Sequence, residues 1–166
     1  MNIETNPNSR YATLTLLVIK EIRFDRGVHQ GFLAQCAHKS PSAWTKVEQG
    51  KSELSIDSLF GACYALQVRP WYVLSIAEIL ATQLSCYGYC FHTSYIDAKE
   101  DDLLRLILAY FDSDGYRNLF RQPWGRMSVT SLLDGFIMYD IPTIVRYCGQ
   151  PDYRSWIDKG APQDPP

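Results

Sequence analysis

Between Gly27 and Lys51 the chain reads GVHQGFLAQCAHKSPSAWTKVEQGK, and here polar side chains recur at spacings that could do chemistry. Ser42, Thr45, Lys46 and Gln49 fall on the outer faces of a short helix and offer hydroxyl, ammonium and amide donors. The local sequence predicts what positions them. Ser40 is a good N-cap, Pro41 falls at the first helical position, where a missing N–H costs nothing, and Gly50 stops the helix just past its end. Trp44 and Val47, three apart, point inward. An earlier helix starts at Val28 or His29 and turns Phe32, Leu33, Cys36 and Ala37 inward at helical spacing. Two short helices joined by a tight turn, the second polar outside and anchored by two hydrophobes, suit insertion into a DNA major groove.

Gln30, Leu33-Ala34, Ser40-x-Ser42, Val47-Glu48 and Gly50-Lys51 stand at the spacings of a known motif, and the stretch resembles the Cro/phage-repressor helix-turn-helix family (Xre type). The likeness continues upstream through Ile19-Lys20-Glu21-Ile22-Arg23. Downstream it runs through Ser55-Ile56-Asp57-Ser58-Leu59 and Ala62-x-x-Ala65-Leu66-x-Val68, so that it covers Thr13 to Ile79. The resemblance implies a lambda-repressor-like domain of five helices that lays its third helix in the major groove of double-stranded DNA. On that basis Pro41, Ser42, Thr45 and Lys46 face the groove floor, and Ser42 and Lys46 read bases, Lys46 being suited to guanine O6/N7. Gln30 and Ser40 contact phosphates, flanked by Lys39, Gln49 and Lys51. Arg23 is expected to pair with Glu48, an ion pair that fixes helix orientation. Two positions depart from the family. His38 stands where glycine is usual and must accept a left-handed backbone. Trp44 replaces the usual Ile or Val, so the core must repack around a larger ring.

Composition bounds the reading. The chain has 166 residues, 46% hydrophobic and 20% charged, with a net charge of -2. That length suits one domain or two small ones. Residues 1–80 carry eight Lys and Arg against seven Asp and Glu, and residues 81–166 carry eight against eleven. Any DNA contact therefore rests on a local patch. The five cysteines, with no secretory segment before them, point to reduced thiols in the cytoplasm. The apolar run from Trp71 to Phe91 is broken by Glu78, Gln83 and Gly88 and makes no membrane span.

The remaining elements follow in order. Residues 1–12 read as a flexible arm. Leu14, Leu17, Val18 and Ile22 make the apolar stripe of a first helix. A fourth helix is capped by Ser55, and a fifth opens at Pro70 and is apolar on more than one face, so something beyond a small DNA-binding domain must cover it. Residues 13–80 form the helix-turn-helix domain, and 81–150 a mostly helical dimerisation or effector domain. Within it Ser85 to Ile96 alternates enough for one or two strands, and Ala98 to Phe111 is amphipathic with Asp101 and Asp102 in its first turn. Tyr116 to Phe120 gives another helical turn, then a loop at Pro123–Gly125. Ser128 to Cys148 reads as two helical pieces divided at Pro142. Residues 151–166 form an extended or disordered tail onto whose neighbours Tyr153 and Trp156 could dock. The fold class is mainly α, with room for a short β element.

Cys86-x-x-x-Cys90-x-His92 is the one metal-like spacing, but three ligands with no fourth fall short of a zinc signature, and buried structural thiols are the better expectation. Phosphate-cradling glycine loops, a nucleophile elbow and a metalloprotease helix are all missing, so no catalytic residue, metal or cofactor is expected. The expectation is a dimeric, non-enzymatic transcriptional repressor that reads a pseudo-palindromic operator. The second half would hold a second copy, a protein partner or a small-molecule effector. The alternatives are an antitoxin-like interaction module that autoregulates, or a ligand or redox sensor on the same fold.

Overall fold

The computed structural model describes residues 6–122, 125–133, 141–162 and 165–166. Helix α1 (Tyr11–Asp25) is the axis of assembly and is buried almost all round, from Thr13 to Ile19 and again at Glu21 and Ile22. The two short helices expected between Gly27 and Lys51 are α2 (Gln30–Cys36) and α3 (Pro41–Glu48), followed by α4 (Ile56–Ala65) and α5 (Pro70–Ser85). His29 caps α2 by accepting Gly31 N–H on Nδ1 at 3.1 Å. Ser40 and Ser55 cap α3 and α4, and Pro41 and Pro70 open α3 and α5, as the sequence predicts. Gly61 lets α4 lie against the end of α2, since a Cβ there would stand 2.1 Å from the Cys36 carbonyl oxygen.

The second half is helical as well: α6 (Asp102–Asp112), α7 (Asp114–Phe120), α8 (Thr143–Gly149) and α9 (Pro151–Asp158), with a 3-10 turn at Val129–Leu132. The only strands among the described residues, β1 (Asn8–Arg10) and β2 (Cys90–His92), pair in parallel with Ser9 opposite Phe91. The fold is therefore mainly α with one short β element. The cover expected for α5 comes from the second half: α8 and the 3-10 turn pack on it. Position 80/81, expected to divide two domains, lies inside α5, and buried side chains from Leu14 to Ile157 form one continuous core. No helix among the described residues is long and apolar enough to cross a membrane.

Two expectations need correction. The arm does not run free to residue 12: Ser9 is 0% and Arg10 5% exposed. Asp101, the N-cap of α6 rather than a first-turn residue, accepts hydrogen bonds from Ser9 Oγ at 2.8 Å, Thr13 Oγ1 at 2.5 Å and Leu104 N–H at 2.9 Å. The Asn8 N–H donates to Asp102 Oδ2 at 2.9 Å. The arm is thus clamped to an element some ninety positions later, beyond the reach of local pattern.

The tail is not extended either. Pro151 starts α9, and Tyr153 and Ile157, one turn apart, are buried. Gly115 in α7 meets that helix so closely that a Cβ would lie 2.1 Å from the Ile157 carbonyl oxygen. Of the two helical pieces expected across Ser128 to Cys148, the described residues hold the 3-10 turn and α8, with Pro142 at the N-cap of α8. Residues 134–140 of that span, and 123–124 of the expected Pro123–Gly125 loop, lie outside the described residues.

The two halves are also joined through a buried acid. Glu21, 0% exposed, accepts on Oε2 from Arg126 Nη1 at 2.9 Å, Ser128 Oγ at 3.1 Å and Val129 N–H at 3.3 Å. Asp25 pairs with Arg126 Nη2 beside it. Burial pushes the Glu21 carboxyl above the usual carboxylate range, and Asp25 adds to this while Arg126 opposes it.

Candidate nucleic-acid interface

The turn between α2 and α3 is made by His38, whose φ of 56° is the left-handed backbone its position demands. From there the chain enters α3 at Ser40, whose Oγ accepts the Ala43 N–H at 3.2 Å and lies 3.1 Å from Ser42 Oγ. Along α3, Trp44 and Val47 are 0% exposed and Pro41, Ser42 and Lys46 face solvent. The helix ends in Gly50 at φ 69°, with its N–H on the Val47 carbonyl. A short rigid helix thus presents one polar face while its other face is fixed in the core.

Glu48 does the fixing. Its Oε1 accepts from Trp44 Nε1 at 2.8 Å, its Oε2 accepts from Gln30 Nε2 at 3.1 Å, and Arg23 Nε stands 3.8 Å from Oε1. The Arg23 and Glu48 side chains are only 11% and 9% exposed, so this pair ties α1 to α3 where its charges are poorly screened.

The nine residues singled out for DNA contact divide by what else they do. Gln30 is half-buried and its amide is turned to Glu48 and to Thr45 Oγ1 (3.4 Å), so it serves as a strut between α2 and α3. Thr45 donates its hydroxyl to the Pro41 carbonyl at 3.0 Å. Ser40 is a cap. Lys46 and Lys51 are exposed, Lys39 is half-buried beside the turn, and no ammonium of the three is in an ion pair among the described residues. Gln49 is half-buried at the C-cap of α3. Pro41, Ser42, Lys46 and Lys51 therefore share solvent-facing positions on or just beyond α3, with Lys39 at its near end.

Residues that local pattern undervalued are Arg10 and Asp101. Arg10 Nη2 reaches the Gly50 carbonyl oxygen at 3.5 Å and its Nε is 3.8 Å from Asp101, so the N-terminal strand touches the C-terminal end of α3. The one available signal was an aspartate just ahead of an apolar helix, the usual site of an N-cap.

Burial pushes the Cys63 thiol up to about 11 and the Cys148 thiol up to about 12, so both stay protonated and unreactive near neutral pH. Cys86 and Cys90 are exposed, which corrects the expectation of buried thiols there. Among the described residues no group of three His, Cys, Asp or Glu side chains is placed to hold a metal ion. Comparison with family models, with curated proteins and with solved structures found no match.

Proposed function

We propose that the chain is a non-catalytic, sequence-specific regulator of transcription in the cytoplasm, which binds double-stranded DNA through the major groove. The observation that carries this reading is the division of labour on α3. Trp44, Val47 and Glu48 are committed to the core, and Ser42 and Lys46 are left in solvent on the opposite side. A helix held that rigidly can present its side chains to base edges with little ordering cost at binding. Lys46 would donate to guanine O6/N7 and Ser42 to a neighbouring base. Lys39 and Lys51, at the two ends of α3, would set the register on phosphates, with Gln49 beside them. One such helix covers few base pairs, so two copies reading half-sites about one DNA turn apart supply the specificity, and occupying a promoter represses it.

A second reading, an antitoxin-like module that binds another protein, is favoured by one observation. Ile56, Phe60 and Tyr64 recur at helical spacing on α4 and are 61%, 54% and 77% exposed. Such a stripe suits a second copy of the chain or a different protein. The two are separated by sedimentation of the purified chain: a dimer at micromolar concentration supports the repressor, and a monomer supports the second reading.

The DNA reading is tested by binding to DNA from upstream of the protein's own gene across a salt series, beside Ser42→Ala and Lys46→Ala. Wild type should prefer that DNA over random duplex, and both variants should lose the preference while melting as wild type does. Equal affinity of wild type for both duplexes sinks it.

A further inference from the structure

A cleft of about 230 Å³ opens where β1, the loop after α3 and the segment after β2 converge, lined among others by Arg10, Tyr11, Glu53, His92, Ser94 and Tyr95. Its buried charge is Arg10, whose side chain is 6% exposed. A guanidinium has five N–H donors. Among the described residues this one makes a single long hydrogen bond, from Nη2 to the Gly50 carbonyl oxygen at 3.5 Å, and its Nε has no hydrogen-bond partner. Asp101 forms an ion pair with it at 3.8 Å, beyond hydrogen-bond reach, and its oxygens already accept from Ser9, Thr13 and the Leu104 N–H. A buried charge with so few of its donors engaged is costly unless a further acceptor reaches it. Arg10 also lies under the Tyr95 ring, 5.1 Å from its centroid, and that aromatic wall excludes water from one side of the guanidinium.

We propose that this cleft binds a small organic carboxylate through Arg10, and that the bound acid is felt at the C-terminal end of α3. A planar carboxylate matches the guanidinium fork and can take two of the idle donors at once. The Ser94 hydroxyl, on the same wall, can donate to it as well. The size of the cleft, the space of about eight waters at ~30 Å³ each, suits a small acid. Glu53 on the rim repels a second negative charge, which selects a monocarboxylate, with or without an ammonium group, over a polyanion. The ligand competes with the Gly50 carbonyl for Arg10. Gly50 is wedged there, since a Cβ on it would stand 2.5 Å from Leu104 Cδ2, so a shift of Arg10 changes what holds the end of α3. Only this consequence for DNA rests on the proposed function; the binding site stands without it.

The test uses the full chain with acetate, benzoate and glycine as probes, each against chloride at equal ionic strength, and inorganic phosphate as the polyanion control. At a hundredfold excess over its Kd, at least one carboxylate should raise the melting temperature by about 5 °C or more. Phosphate should do less. The shift should vanish in Arg10→Gln and in Tyr95→Ala, the latter an exposed side chain whose loss leaves the core untouched. No shift with any of the three acids, or a shift that survives in both variants, overturns the site. Because this readout contains no DNA, it stands apart from the test of base reading. With operator DNA present, the same acid should weaken binding about fivefold or more, and an unchanged affinity overturns the link to α3.

Discussion

Trp44 Nε1 donates to Glu48 Oε1 at 2.8 Å, one turn further along the same helix. The indole is fully buried and brings its own donor to a carboxylate that is only 9% exposed. With Gln30 on the other oxygen and Arg23 alongside, Glu48 is addressed from α1, α2 and α3 at once. The large Trp44 ring therefore does more than fill volume. It supplies part of the compensation a buried charge needs.

Trp44→Phe keeps an aromatic ring but loses the N–H and some volume. The expected cost is about 2 to 4 kcal/mol, from a lost hydrogen bond to a charged group together with the residual cavity. It should appear in urea titrations as a lower midpoint with an unchanged slope. Combining it with Glu48→Gln should reveal a coupling of at least about 0.5 kcal/mol. Strict additivity would mean that the indole and carboxylate are not bonded in solution.

Gln30 and the lysines should separate cleanly in a salt series. If the proposed DNA complex forms, Lys39→Ala and Lys51→Ala should each lower the slope of log affinity against log salt by about 1, one phosphate contact being lost in each. Gln30→Ala should leave that slope alone and cost stability of about 1 kcal/mol, since its amide is spent on Glu48. A loss of DNA affinity at fixed salt in folded Gln30→Ala would return this residue to the phosphate set.

What could be read in the sequence was what is local. Ser40 with Pro41, Ser55, and Pro70 announce helix starts by chemistry that acts within four residues, and the structure has helices starting at each. The Arg23–Glu48 proximity was legible only through resemblance, and Gln30's role as a strut not at all, because its partner sits eighteen positions away. The pairing of Asn8–Arg10 with Cys90–His92 failed for the same reason on a larger scale. The tail is a different kind of miss. Pro151 opens α9 as Pro41 opens α3, but the proline and aspartate content around it outweighed that signal.

The continuity of the core across both halves predicts a single unfolding event. Gly115→Ala drives a methyl against the Ile157 carbonyl of α9 and should cost about 1 to 3 kcal/mol or more. Deleting residues 151–166 should be worse, because it uncovers Gly115 and removes Tyr153 and Ile157 from the core. Calorimetry and tryptophan fluorescence should both report one transition, moved down as a whole. If α1 to α5 instead melted at the wild-type temperature in the deletion variant, the first half would be an independent domain after all.

Glu21 sets a pH dependence whose sign can be worked out. Burial raises its folded pKa above the ordinary 4.5, with Asp25 reinforcing and Arg126 opposing. A group whose pKa is higher in the fold than in the unfolded chain binds protons more readily when folded. Its contribution is therefore fully present below 4.5 and is lost as pH rises through the raised value. Lowering the pH from neutral toward 5 should strengthen this contribution, even as other carboxylates titrate. Glu21→Gln mimics the protonated form and can still accept from Arg126 and Ser128. The stability of Glu21→Gln relative to wild type should accordingly be greatest near neutral pH and shrink as the pH falls. Melting curves of both proteins between pH 7.5 and 5 measure this directly. A gap that widened on acidification would show that the Arg126 pair outweighs burial and holds the carboxyl low.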